Sequence, residues 1–141
     1  MAEKVTVRQS RARETSYTAL DPVSPAAESP RAVLALSELT PYGMVLAALG
    51  TCTAFVLNSY ADHHGVKGIE AFELVLQYER SYIKDCEQCA ESERYETHIN
   101  LTLRIEGPVA PEEQEKLLKV ATHCPVHKLL AEGVDVNYKL A

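Results

Sequence analysis

Basic residues are in short supply in this chain: 14 Lys and Arg stand against 20 Asp and Glu, for a net charge of −6. Neutralising a phosphate backbone takes clustered cations, so binding a polyanion by bulk electrostatics is not expected. Arg8, Arg11 and Arg13 are too few to reverse the field. Long apolar runs are missing as well. The longest, residues 44–57, is broken by Gly50, Thr51 and Thr53 and falls short of the roughly 18 or more residues that a spanning helix needs. The N-terminus, Met1-Ala-Glu-Lys, has no apolar secretory core. No internal repeat or low-complexity tract is visible. These absences predict a cytoplasmic protein that engages neither nucleic acid nor membrane. With 141 residues, 46% of them hydrophobic, the chain is expected to form one domain over residues 1–141 around one core.

Cysteine is scarce too, with four in the chain. In a reducing compartment such thiols are more often free, catalytic or metal-bound than structural disulfides, so their placement carries the information.

Residues 5–20 favour β structure, with apolar and polar residues mixed as in an exposed hairpin strand. Three prolines make residues 21–30 a loop, and residues 31–36 resume as a short strand. Thr40 and Pro41 then open a helix: the Thr hydroxyl caps free N–H groups and Pro is preset to a helical φ at the first position. The helix runs to His64 and stops at Gly65. It is apolar nearly all round, which predicts burial on most sides, and its small residues imply a close backbone approach near Cys52.

Residues 69–82 and 95–105 alternate as two long strands of an antiparallel hairpin, joined by the polar segment 84–93. A turn at Gly107 leads into a helix over residues 111–123. Pro125 starts another that begins at Cys124 and ends at Gly133. Residues 134–140 are expected to close the chain as a strand. Strands arriving in hairpins rather than in βαβ units define the class as α+β.

Cys124 lies in His123-Cys-Pro-Val-His127. At a helix start, unpaired N–H groups and the positive end of the dipole favour thiolate, which makes it a reactive candidate; a small buried hydrophobe at a helix corner is the alternative. Cys52, mid-helix in Leu49-Gly-Thr-Cys-Thr-Ala54, reads by itself as a core thiol without a dipole advantage. Its activation would require a neighbouring cation or a second thiol. The Cys86-x-x-Cys89 pair is compatible with incidental exposed thiols, an accessory redox disulfide or half of a metal site. A second C-x-x-C or H-x-x-H at zinc-like spacing is lacking, and nothing in sequence brings His63, His64 or His98 near. His123 and His127 suit either metal ligation or a solvated helix surface.

Taken together, Pro41-x-x-Met-Val-Leu-Ala-Ala-Leu-Gly-Thr-Cys52 and His123-Cys-Pro-Val-His-Lys128 resemble the two signature stretches of the OsmC/Ohr family, roughly P-x-x-L-L-x-A-A-x-G-x-C and C-P-V-x-K. The element order agrees over nearly the whole chain after Arg31. The resemblance implies an OsmC-like α+β fold, with antiparallel sheets around a long buried central helix. It also implies an intertwined homodimer with two active sites at the subunit interface. It further implies a thiol-dependent peroxidase in which Cys52 is peroxidatic and Cys124 resolving, a small organic hydroperoxide or hydrogen peroxide as substrate, and an external dithiol as reductant. No cofactor or metal is called for. The family sets a Glu one or two positions after the helix-starting Pro, orienting an Arg that activates the first thiol; here those positions are Tyr42 and Gly43. Arg31 is the candidate for that Arg, with Arg11 and Arg13 behind it. A non-enzymatic member binding an apolar ligand in the interface pocket is the competing expectation. A metal-dependent redox sensor centred on Cys86 and Cys89 is a third.

Overall fold

The computed structural model of the chain describes residues 2–20, 30–82 and 95–141. Its order is β1 (Ala2–Ser10), β2 (Thr15–Leu20), β3 (Arg31–Val33), a 3-10 turn (Leu36–Glu38), α1 (Pro41–His64), β4 (Ala71–Tyr82), β5 (Tyr95–Glu106), α2 (Pro111–Ala121) and α3 (Pro125–Glu132). The described strands form one antiparallel sheet in the order β3-β2-β1-β4-β5. The expected α+β class is what the chain adopts.

Strand alternation gives the sheet one apolar face. In the β1–β4 register Val5 is opposite Leu76 and Val7 opposite Leu74, and all four are fully buried. β1 is therefore the middle of the sheet rather than an exposed strand, because α1 lies across it. Lys4, Thr6 and Arg8 occupy the opposite, more open face.

α1 starts as the sequence indicates. Thr40 Oγ1 accepts from the N–H of Gly43 at 3.1 Å, Pro41 takes the first position, and Gly65 ends the helix with φ 62°. Its sheet-facing side is Gly43, Leu46, Ala47, Gly50, Ala54, Leu57 and Ala61, all buried. Gly50 sets the distance. A Cβ there would sit 2.6 Å from Val7 Cγ2 and 2.7 Å from Leu76 Cδ1. The neighbours that its smallness admits are thus sheet side chains, where the sequence suggested a second backbone.

The helix is also less buried than expected. α2 and α3 pack on it through residues such as Leu117 and Ala121, but leave Met44, Val45, Ala48 and Phe55 open, Phe55 with 56% of its surface exposed. By length and composition α1 would suffice to cross a membrane, and half of its most apolar window is buried inside the fold. The interruptions at Gly50, Thr51 and Thr53 are too mild to prevent that.

A polar cluster fixes the far end of α1. Asn58, fully buried, donates to Gln9 Oε1 (2.7 Å) and Ser10 O (3.1 Å) on β1, while Arg11 donates to Asn58 Oδ1 (2.6 Å) and Asp62 Oδ1 (2.5 Å). Arg13, in the left-handed region at φ 67°, reaches Asp62 Oδ2 at 2.7 Å. Each buried polar atom in this cluster has a partner, as the cost of an unmade buried hydrogen bond demands.

Two expected strands differ. Residues 31–36 form a strand only as far as Val33, after which the Glu38 carboxylate accepts the N–H groups of Leu34 (2.6 Å) and Ala35 (3.1 Å) and turns the chain out of the sheet. Residues 134–140 form no strand. Their alternating Val134, Val136, Tyr138 and Leu140 are all exposed, the last 98% so. A strand exists through its ladder, and no described strand of this chain lies beside them to supply one.

Gly50→Val is expected to lower stability by about 1–3 kcal/mol, the usual range for overpacking a core. A lower urea midpoint at unchanged m-value checks it; an unmoved midpoint would mean that the contact of α1 with β1 and β4 has slack.

Candidate functional site

Cys52 and Cys124 come together. Cys52 is carried on the part of α1 that faces away from the sheet and is partly exposed. Cys124 is the cap residue of α3, is fully buried, and belongs to the main core. Cys124 and the backbone N–H of Val126, in the first turn of α3, both lie close enough to act on the Cys52 sulfur. The sequence assigned the helix-start advantage to Cys124 alone; the fold shares it with Cys52, since α3 points its free amides at α1.

The balance at Cys52 nevertheless runs upward. Burial pushes the thiol above its ordinary pKa, the contact with Cys124 adds to the rise, and the Val126 N–H opposes both without overcoming them. Among the described residues no cation acts on this sulfur. In this arrangement Cys52 is a protonated thiol at neutral pH, able to attack only as it loses its proton.

A cavity of about 600 Å³ opens beside Cys52. Its α1 wall is Met44, Ala47, Ala48, Thr51, Cys52 and Phe55, a single helical face by its three- and four-residue spacing. Val33, Leu39 and the loop Leu34–Ala35–Leu36 form the opposite wall, and Tyr17 enters from β2. Tyr17 and Thr51 hydroxyls are 2.8 Å apart. The lining is apolar with polar atoms at few points, the usual composition of a small-molecule site.

Arg31 is the first residue of β3, two positions before the cavity residue Val33 and hence on the same face of the strand. Its guanidinium donates to the Glu38 carbonyl at 2.7 Å. Glu38 is held below its ordinary carboxylate pKa by the N–H groups of Leu34 and Ala35 first and by Arg31 least. Arg31 and Glu38 thereby brace the loop that walls the cavity. Arg11 and Arg13 are at Asp62, ten residues beyond Cys52 on α1, about 15 Å at about 1.5 Å of rise per residue. Asp62 is accordingly held below its ordinary pKa by Arg13 and Arg11.

Of the two positions where an acid was sought, Tyr42 is exposed and its ring stacks on Tyr78 at 4.6 Å. Gly43 is buried against a different carboxylate: a Cβ on it would be 2.8 Å from Glu3 Oε1, which accepts from the Thr40 hydroxyl. Cys86 and Cys89 lie outside the described residues. Among the described residues no group of three or more His, Cys, Asp or Glu is placed to hold a metal ion; His127 lines a second apolar cavity between α1, β5, α2 and α3 instead.

Sequence reading missed Tyr17, Thr51 and Phe55. Thr51 and Phe55 carried a signal, since they fall at helical spacing from Ala47 and Ala48; Tyr17 carried none, because its place depends on the β1–β2 register.

A sheet backed by one long helix, with a thiol on that helix meeting a second thiol at the start of a short one, defines an OsmC-type α+β protein. The family model for OsmC-like proteins matches residues 35–139, and the chain belongs to that family. No curated protein matches the sequence. Among solved structures, the chain is similar to an OsmC-like hydroperoxide resistance protein from Jannaschia sp. CCS1 at 15% identity, covering 99% of this chain and 93% of that one, with TM-score 0.59. It is also similar to the organic hydroperoxide resistance protein OhrB of Bacillus subtilis at 18% identity, covering 94% and 93%, with TM-score 0.47. The first of these likenesses is one of fold.

Alkylation of Cys52 by iodoacetamide, followed by peptide mass spectrometry against pH, is expected to show a midpoint above that of an ordinary thiol. Cys124→Ala should move the midpoint down, because it removes the second cause of the rise; an upward move would refute that assignment.

Proposed function

We propose that this protein is a thiol-dependent peroxidase that reduces organic hydroperoxides or hydrogen peroxide, with Cys52 peroxidatic and Cys124 resolving. The observation that carries this is the nearness of Cys124 to Cys52 beside a largely apolar cavity. Membership of the OsmC-like family supports it, as does the description of the Jannaschia structure as a hydroperoxide resistance protein. Residues 1–141 act in this reading as one OsmC-like domain, in the cytoplasm.

The Cys52 sulfur attacks the distal oxygen of RO–OH, and the O–O bond breaks. The thiol proton leaves with the alkoxide as ROH, and Cys52 becomes a sulfenic acid. The Cys124 thiol then displaces water from that sulfur to form a Cys52–Cys124 disulfide, which an external dithiol reduces by exchange. Burial of Cys124 keeps it from other oxidants until Cys52 has reacted. Arg31, on the cavity side of β3, is the cation we assign to supporting the sulfur as it loses its proton, on leaving the Glu38 carbonyl that it holds in the single chain.

We also propose a homodimer. The open apolar stripe of α1 is continuous with the cavity, and residues 134–140 carry strand alternation without a ladder; a second copy would cover the one and pair with the other. The upward shift of Cys52 and the want of an acid at positions 42 and 43 favour a second reading, a non-enzymatic binder of an apolar ligand.

With cumene hydroperoxide and dithiothreitol, the wild type should consume peroxide and Cys52→Ser should lose at least about 100-fold in rate. Mass spectrometry of the wild type after peroxide without dithiol should find the Cys52–Cys124 disulfide; a chain that binds the hydroperoxide without forming it is the binder. Arg31→Met should lower kcat/KM with Cys52 still oxidisable. Light scattering should give twice the chain mass, falling to one chain mass in Val45→Glu/Phe55→Glu; a monomeric wild type would sink the dimer.

A further inference from the structure

Apart from the Cys52 thiol, the described side chains lining the cavity carry polar atoms at one place, the Tyr17 and Thr51 hydroxyls. Thr51 Oγ1 has a single proton, and it is donated to the carbonyl of Ala47 at 2.7 Å, one turn back along α1. In the 2.8 Å contact between the two hydroxyls Tyr17 is therefore the donor. Its proton is committed, while its oxygen retains acceptor capacity. Thr51 immediately precedes Cys52, so this acceptor lies at the level of the sulfur.

A hydroperoxide entering the cavity brings an O–H donor that loses its water, and leaving that donor unpaired in apolar surroundings costs more than the whole bond is worth in solution. We propose that Tyr17 Oη, fixed by Thr51, is the head-group subsite of this cavity: it accepts the hydrogen bond of the O–OH group and turns the distal oxygen toward Cys52. The apolar tail then runs along Met44, Ala48 and Phe55. This rests on the peroxidase reading and adds to it the element that orients the substrate. The hydroperoxide hydrogen stays on the distal oxygen throughout and finishes on the sulfenic acid, the thiol proton leaves with the alkoxide, and Tyr17 neither gains nor loses a proton. Because the phenol is held before the substrate arrives, orientation takes no rearrangement of the site.

The test is single-turnover oxidation of Cys52 by cumene hydroperoxide in the full chain, beside alkylation of the same thiol by N-ethylmaleimide, which carries no O–H. Tyr17→Phe should slow oxidation about tenfold, the scale of one hydrogen bond, and leave alkylation at the wild-type rate. Unchanged oxidation, or equal slowing with both reagents, overturns the subsite. Should Tyr17→Phe fail to fold, Thr51→Val should show the same selective loss and Thr51→Ser should restore it; equal rates in the two Thr51 variants overturn the subsite as well. A wild type whose Cys52 is not oxidised at all overturns the peroxidase reading and the subsite together, which separates that failure from the others.

Discussion

Everything at the site depends on how closely α1 can lie on the sheet. The helix is pressed onto Val7 and Leu76 at Gly50, and the residue two positions later is Cys52, already turning toward the opposite side. Close contact on one side therefore dictates the height of the thiol on the other. α3 reaches the same level because Pro125 breaks the chain after α2 and starts a new helix whose cap is Cys124 and whose first-turn amide is Val126. The polar cluster of Gln9, Asn58, Arg11 and Asp62 holds the other end of α1 to the β1–β2 hairpin, and that hairpin carries Tyr17. Helix, hairpin and short helix are thus coupled through packing contacts rather than through any covalent link.

The electrostatics of Cys52 show which local effect wins. A helix-start amide is worth about 0.3–1 kcal/mol to a nearby negative charge in exposed settings. Burial and the neighbouring Cys124 oppose it, and the net direction at Cys52 is upward. A thiol in that state attacks a peroxide through its thiolate fraction, and the leaving alkoxide takes up the proton that the thiol has lost. The demand therefore falls on alignment of sulfur, distal oxygen and leaving oxygen and also on a donor that raises the thiolate fraction.

Local chemistry was legible in the sequence. The Thr40–Pro41 start, the Gly65 stop and the break at Pro125 are properties of a few adjacent residues, and α1 and α3 begin where those residues say. The association of Cys52 with Cys124 was not local; it came from family resemblance, since neither thiol's own surroundings bring in the other. What stayed hidden depends on tertiary register. Tyr17 reaches the cavity because it pairs with Val7 on one side and Val33 on the other, and Glu38 cuts β3 short because its carboxylate folds back onto Leu34 and Ala35. The alternation in residues 134–140 is a true strand pattern, but alternation specifies only a face; the ladder has to come from another strand.

Assembly of two copies would also act on the thiol. Covering the open side of α1 with apolar surface alone would remove more water from Cys52 and drive its pKa further up. A homodimer that helps the chemistry must therefore bring polar groups as well as area. Each copy carries its described hairpin and loop cations at the margins: Arg11 and Arg13 on Asp62 and Arg31 against Glu38. None of them acts on Cys52 within the single chain. In the proposed dimer the useful donor is then a cation that changes partners on assembly, because the hydroxyl protons of Tyr17 and Thr51 are already committed to Thr51 and to the Ala47 carbonyl. The hydroxyl pair keeps its acceptor role without rearrangement, since Tyr17 and Thr51 are in place before anything binds.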